Sequence, residues 1–393
     1  MEANVFICPS CERENRVDDG ACECGYDQGL HQEVVQYAPQ NALAATLKAV
    51  EGENGTFLTS EIGQLWSLEG EDVKSFIKQI ELKFKRKRKN HSWIAETLIP
   101  TSTAEALKKY NENGDDFESL VNSIVDNLTS QAALKTPTPA GGAVIFIHYH
   151  KDNEQESLGR IFVIMVNNTK AFNFDDNLVP TKFPSIDMDA LRQAALIDLT
   201  LFDEIYPSKD GEPYVQFITG KSSSDFFKTA IGCIEDLDNN RSIQDAKKAL
   251  VDFCHHKTIS PLTRVQLLKN FEALMSERAK SKINKTITLK DMEAVVDKTL
   301  PEGSPDKNKF EQFALLGDYK INEYFEPSRF SSSEFGKISL SDSESDYKVS
   351  VSVGALNDDI NSDAKIIFDR SQSKLIIRLS DDDVKIIDDV FNG

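Results

Sequence analysis

Hydrophobic positions in this chain follow helical spacing in some stretches and unbroken or alternating apolar runs in others. Val73, Phe76, Ile77, Ile80 and Phe84 recur at i, i+3 and i+4, the spacing of an amphipathic helix. Ser67 stands ahead of that helix as a candidate N-cap, and Glu69, Glu71 and Asp72 suit its positive end. A second helix is predicted over 113–133, with Phe117, Leu120, Val121, Ile124 and Leu128 on one side. Leu43, Leu47 and Val50 predict another helix from near Asn41, and 56–62 a short strand.

The pattern then changes. Thr136-Pro137-Thr138-Pro139-Ala140-Gly141-Gly142 breaks the helical rhythm. The runs 143–147 and 161–166 follow, apolar at every position, as strands covered on both faces must be. The polar stretch 151–160 would join them as an antiparallel pair. Further strands are predicted at 195–199 and 214–218, and helical segments over 225–281. Composition shifts again at Pro301-Glu302-Gly303-Ser304-Pro305. Beyond it come a helix at 310–316 and alternating stretches at 347–353, 365–368 and 374–378. The fold class is therefore α+β. A small N-terminal zinc-ribbon-like module covers 1–27, a mixed core with a helical segment 40–300, and a small sheet-rich C-terminal domain 305–393.

Cysteine placement gives the first piece of chemistry. Cys8-Pro-Ser-Cys11 and Cys22-Glu-Cys24-Gly25 put four thiols near the start, among Glu, Arg, Asn and Asp rather than apolar residues. Four thiolates close a tetrahedral structural Zn2+ site where no hydrophobic core is available. Cys22 and Cys24 are separated by one residue, fewer than the usual two or more, and His31 is a substitute ligand. The competing reading is buried or redox-active free thiols. Disulfides fit less well, since nothing else in the chain looks secreted.

Charge supplies the second. The formal net charge is -19, which repels phosphate, so any DNA contact must be confined to a local patch. One candidate is the run Lys83-Phe84-Lys85-Arg86-Lys87-Arg88-Lys89, at the end of the first amphipathic helix. Lys83, Lys85, Arg86, Lys87, Arg88 and Lys89 would meet the duplex backbone rather than base edges. The alternative is a solvated cationic helix end, favoured there by the helix dipole. The acidic Asp381-Asp382-Asp383 and Asp388-Asp389 read as solvated surface. No apolar run reaches the roughly 18–20 residues of a membrane helix, and no signal peptide is visible, so a cytoplasmic protein is expected.

Other constellations carry little. Thr219-Gly220-Lys221-Ser222 lacks the upstream glycine and loop of a phosphate-binding motif. His148 and His150 would share one strand face, and Cys254-His255-His256 would spread around a helix. Neither set has further ligands at useful spacing. No hydrolase or dinucleotide motif is present, and the chain is read as a non-enzyme.

Past the cysteines, the sequence resembles the bacterial 37-kDa nucleoid-associated protein family. The most specific stretch is Gly141-Gly142-Ala143-Val144-Ile145-Phe146-Ile147-His148-Tyr149. The likeness continues through 161–168, 173–177, Ile197-Asp198-Leu199-Thr200 and 214–221. It resumes at Ser224-Asp225-Phe226-Phe227, Gly232-Cys233, Tyr319-Lys320-Ile321 and Phe325-Glu326-Pro327. The resemblance implies a place in the nucleoid, double-stranded DNA binding, a homodimer, a link to type II topoisomerases or other nucleoid proteins, and no catalysis. The cysteine module departs from that family's usual start. A second reading is therefore an adaptor that binds proteins, for example a topoisomerase or a mobile-element or phage-defence assembly, with little DNA affinity of its own.

Overall fold

The computed structural model describes residues 5–7, 14–16, 37–53, 55–69, 71–135, 137–139, 141–151, 157–166, 175–179, 191–218, 225–234, 237–341 and 347–392. The chain divides into two compact units. The first contains Met1–Asp238 and Leu315–Glu323, the second Asn239–Ala314 and Tyr324–Gly393. The helices after 238 thus group with the C-terminal strands, and the boundary anticipated near 300 falls inside the second unit.

The first unit opens with a short antiparallel pair, β1 (Val5–Ile7) and β2 (Glu14–Arg16). Its body uses β3 (Tyr37–Gly52), β4 (Gly55–Ile62), α1 (Glu71–Lys85), β5 (Asn90–Ser92), α2 (Thr103–Asn111) and α3 (Phe117–Ala133). Then follow β6 (Gly142–Lys151), β7 (Arg160–Val166), β8 (Leu191–Asp198), α4 (Leu199–Ile205), β9 (Val215–Ile218) and α5 (Asp225–Ile231). Seven strands form one antiparallel sheet in the order β4-β3-β6-β7-β8-β9-β5.

Alternation along the central strands divides the core in two. Val144 and Phe146, with Ile161, Val163 and Met165, face a core built with α2, α3 and α5. Ile145, Ile147 and Tyr149, with Phe162 and Ile164, face α1. Helices on both faces explain why 143–147 of β6 and 161–166 of β7 are apolar at every position. On α1 the buried apolar residues are Val73, Phe76, Ile77, Ile80 and Phe84, the five its periodicity selected. Each such burial contributes roughly 1.5–3 kcal/mol.

Three expectations need correction. The segment from Asn41 is strand β3, not a helix, and Ala42 to Leu47 are almost all covered from both sides. Ser67 does not cap α1, which begins four residues later at Glu71. The strand expected to reach Leu199 stops at Asp198, whose carboxylate accepts from the Leu201 N–H at 3.1 Å and caps α4. The sequence reading also missed α2.

The second unit packs α6 (Asn239–His256), α7 (Pro261–Lys280), α8 (Leu289–Thr299), α9 (Phe310–Leu316) and α10 (Arg329–Phe335) around phenylalanines. Phe253 meets Phe310 edge-on at 5.5 Å, and Phe271 stacks on Phe335 at 6.0 Å. After these come the hairpin β10 (Lys337–Ser341) and β11 (Lys348–Ser352) and the three-stranded β12 (Leu356–Asn357), β13 (Ile366–Asp369) and β14 (Lys374–Ile377). The last helix, α11 (Asp381–Asn392), begins with three aspartates at its positive end. Among the described residues, no helix is long and apolar enough to cross a membrane.

Candidate nucleic-acid interface

The basic run begins in the last turn of α1 and continues through the turn that leads to β5. Lys83, Lys85, Arg86, Lys87 and Arg88 are each half-buried. Phe84 points inward and meets Phe162 edge-on at 5.3 Å, so the apolar member anchors the end of the helix. The run therefore lies on a fixed helix end.

Lys89 behaves differently from its neighbours. It is 7% exposed, and its Nζ donates to the carbonyls of Phe84 (3.3 Å), Lys85 (2.9 Å) and Lys87 (3.1 Å). These include carbonyls that the end of α1 leaves without helical donors. The ammonium also lies 5.3 Å from the Phe84 ring centre. Burial, then repulsion from Lys85 and Lys320, lowers its pKa to about 7, against the pull of Asp318. Lys89 closes the helix end, and its charge is turned away from solvent.

The strand after the run is held by the returning segment 315–323. The His91 N–H donates to Asn322 Oδ1 at 2.7 Å, and the Glu323 N–H donates to Asn90 Oδ1 at 3.1 Å. Both asparagines are buried, so these bonds fix backbone in a region where water cannot substitute.

Glu81, four residues before Lys85, anchors the helix from beneath. Its buried carboxylate accepts from Tyr37 Oη, from Tyr149 Oη at 3.1 Å and from Lys151 Nζ at 2.8 Å. Burial alone would raise its pKa, but Lys151, aided by the Tyr37 hydroxyl, overcomes that and lowers it. Burial and the Glu81 charge push the Tyr149 and Tyr37 hydroxyls up, so both remain protonated donors. This network joins α1 to β3 and β6. The sequence signalled Glu81 only as a single carboxylate near the apolar stripe of α1.

Of the histidine pair, His148 is held by hydrogen bonds at both ring nitrogens. Tyr110 Oη lies 2.7 Å from His148 Nδ1, and His148 Nε2 lies 2.9 Å from the Leu158 carbonyl. Burial lowers the His148 pKa to about 4, and a neutral ring can accept from the hydroxyl and donate to the carbonyl. With both nitrogens engaged, His148 has no lone pair left for a metal. On α6, Cys254 is buried, Arg264 Nη1 donates to His255 Nδ1 at 3.1 Å, and His256 packs on Phe313 at 5.7 Å. Cys8, Cys11, Cys22 and Cys24 lie outside the described residues, as do His31 and 219–222.

The profile of the NA37 family, described as nucleoid-associated protein YejK, matches residues 53–382. The chain belongs to this family. A nucleoid-associated protein of Pseudomonas fluorescens strain Pf0-1 is 24% identical over 212 residues, covering 53% of this chain and 60% of the relative. One from Metapseudomonas resinovorans is 24% identical over 213 residues, covering 53% and 61%. Another, from Pseudomonas entomophila strain L48, is 23% identical over 215 residues, covering 53% and 60%. The chain thus spans about three fifths of the length of these relatives.

Proposed function

We propose that this protein is a non-catalytic accessory component of the bacterial nucleoid that binds double-stranded DNA through phosphate contacts. Membership of the nucleoid-associated family carries this reading. The end of α1 supports it, because a rigid cationic surface can follow a phosphate backbone without reading sequence. The contacting residues are Lys83, Lys85, Arg86, Lys87 and Arg88. Lys89, buried against the carbonyls, positions them. The working form is a homodimer in the cytoplasm, and Cys8, Cys11, Cys22 and Cys24 hold one structural Zn2+. The net charge of -19 favours one second reading, an adaptor whose acidic surface binds a basic protein such as a topoisomerase.

Salt dependence separates the two. Fluorescence anisotropy of a labelled duplex should show affinity falling steeply with salt, by roughly 0.9 in log–log slope for each phosphate neutralised. Replacing Lys83, Lys85, Lys87 and Arg88 together by Gln should weaken binding to all duplexes alike and flatten that slope. Far-UV circular dichroism checks that the variant folds. No salt-dependent binding by the unaltered protein would favour the adaptor.

A further inference from the structure

The loop between α7 and α8 carries a more exposed cationic surface than the end of α1. Residues 278–290 read Arg-Ala-Lys-Ser-Lys-Ile-Asn-Lys-Thr-Ile-Thr-Leu-Lys, five basic residues and no acidic one, in a chain with 64 Asp and Glu among 393 residues. Lys280, Lys282, Lys285 and Lys290 are all exposed. Among the described residues, no ion pair engages any of these four lysines. The nearby carboxylate of Asp291 is occupied. It accepts from the Thr288 N–H at 2.9 Å and the Thr288 hydroxyl at 2.7 Å, and Arg278 Nη2 lies 3.6 Å from its other oxygen.

Local bonds hold the loop at both ends. The Ser281 N–H donates to the carbonyls of Glu277 and Arg278, each at 3.1 Å, and closes α7. Ser281 Oγ accepts from the Asn284 N–H at 3.0 Å, which sets the turn. At the far end Ile287 and Phe325 exchange backbone bonds of 2.8 and 3.0 Å, and Thr288 with Asp291 forms a capping box on α8. Between these anchors stands Ile283, 98% exposed, flanked by Lys282 and Asn284.

We propose that this loop is a second duplex-DNA contact, with the lysines on phosphates and Ile283 as an apolar wedge entering the minor groove. The inference rests on the duplex-binding reading above. Lysines alone would suit any polyanion. A bare isoleucine held between lysines and an asparagine is what minor-groove proteins use to part a base step and bend the duplex. An acidic polypeptide offers the lysines partners but gives Ile283 no stacked surface to enter.

Three variants of the full chain test it, with anisotropy across a salt series and end-to-end energy transfer on a doubly labelled duplex. Replacing Lys280, Lys282, Lys285 and Lys290 by Gln should lower the salt slope by about 3.6. The same four positions as Arg should retain it. Ile283→Ala should keep the slope, reduce the bend and weaken binding roughly tenfold. Unchanged thermal midpoints will show that the folds are intact. The inference is overturned if the unaltered protein binds duplex and either the Gln or the Ala variant matches it. If the unaltered protein binds no duplex, the duplex-binding reading falls as well. Loop-dependent binding of polyglutamate in place of duplex overturns the inference in favour of a protein-facing surface.

Discussion

Lys89 shows how one residue type can serve opposite ends. Six of seven residues in the run 83–89 are basic, and sequence treats them alike. Charge is legible in sequence, but the direction a side chain takes depends on which carbonyls lie within reach. Lys89 reaches three of them, and five others stay half-buried. Its titration follows from that position. With a folded pKa of about 7 against an ordinary 10.5, the unfolded chain holds a proton between those values that the folded chain does not. Lys89 therefore makes stability rise as pH climbs through that window. Lys89→Met keeps the apolar stem and removes both the titration and the donor. The stability of the natural protein minus that of the variant should grow from pH 7 to pH 10, at about 1.4 kcal/mol per unit. Urea melts at the two pH values measure it, and a constant difference would mean that the ammonium is solvated.

At the scale of elements, legibility depended on whether periodicity had one meaning. The five positions chosen on α1 are its five buried apolar side chains. In β3, Leu43 and Leu47 stand four apart and share a face whether the backbone is helix or strand. Only Val50, an odd number of residues from both, distinguishes the two, and it is exposed. The alanines around them favour a helix by propensity, and burial between two helical layers overrides that preference. The lysines of the α7–α8 loop were missed because they are interspersed with neutral residues, whereas 83–89 is nearly continuous. Element positions also yield a test. Glu81→Leu would leave Lys151 and two tyrosine hydroxyls without their common acceptor. Removing one partner of a buried ion pair costs about 3–5 kcal/mol, so the variant's denaturation midpoint should fall clearly. A change under about 1 kcal/mol would mean that water already satisfies these donors. Because the Glu81 pKa is lowered below 4.5, its contribution is present above that value and lost as pH falls through the folded pKa.

For the whole molecule, the cysteine module and the sheet-based units should respond to different treatments. We expect about one zinc per chain by elemental analysis of protein purified without added metal. Cys8→Ser or Cys22→Ser should abolish it, and chelation should leave the main thermal transition of the α+β units in place. Metal near zero in the natural protein would leave the thiols as free cysteines. The units themselves are not arranged one after the other along the chain. The polypeptide leaves the first at Asp238, returns for Leu315–Glu323 and leaves again. That short return supplies Asn322 to the His91 backbone and Lys320 to Glu212, at 2.7 and 3.1 Å. A single recombination breakpoint between the units would therefore carry away a piece of the first with the second. Inheritance of this architecture is expected to be all or nothing, with the two units descending together and new parts added only where they interrupt neither.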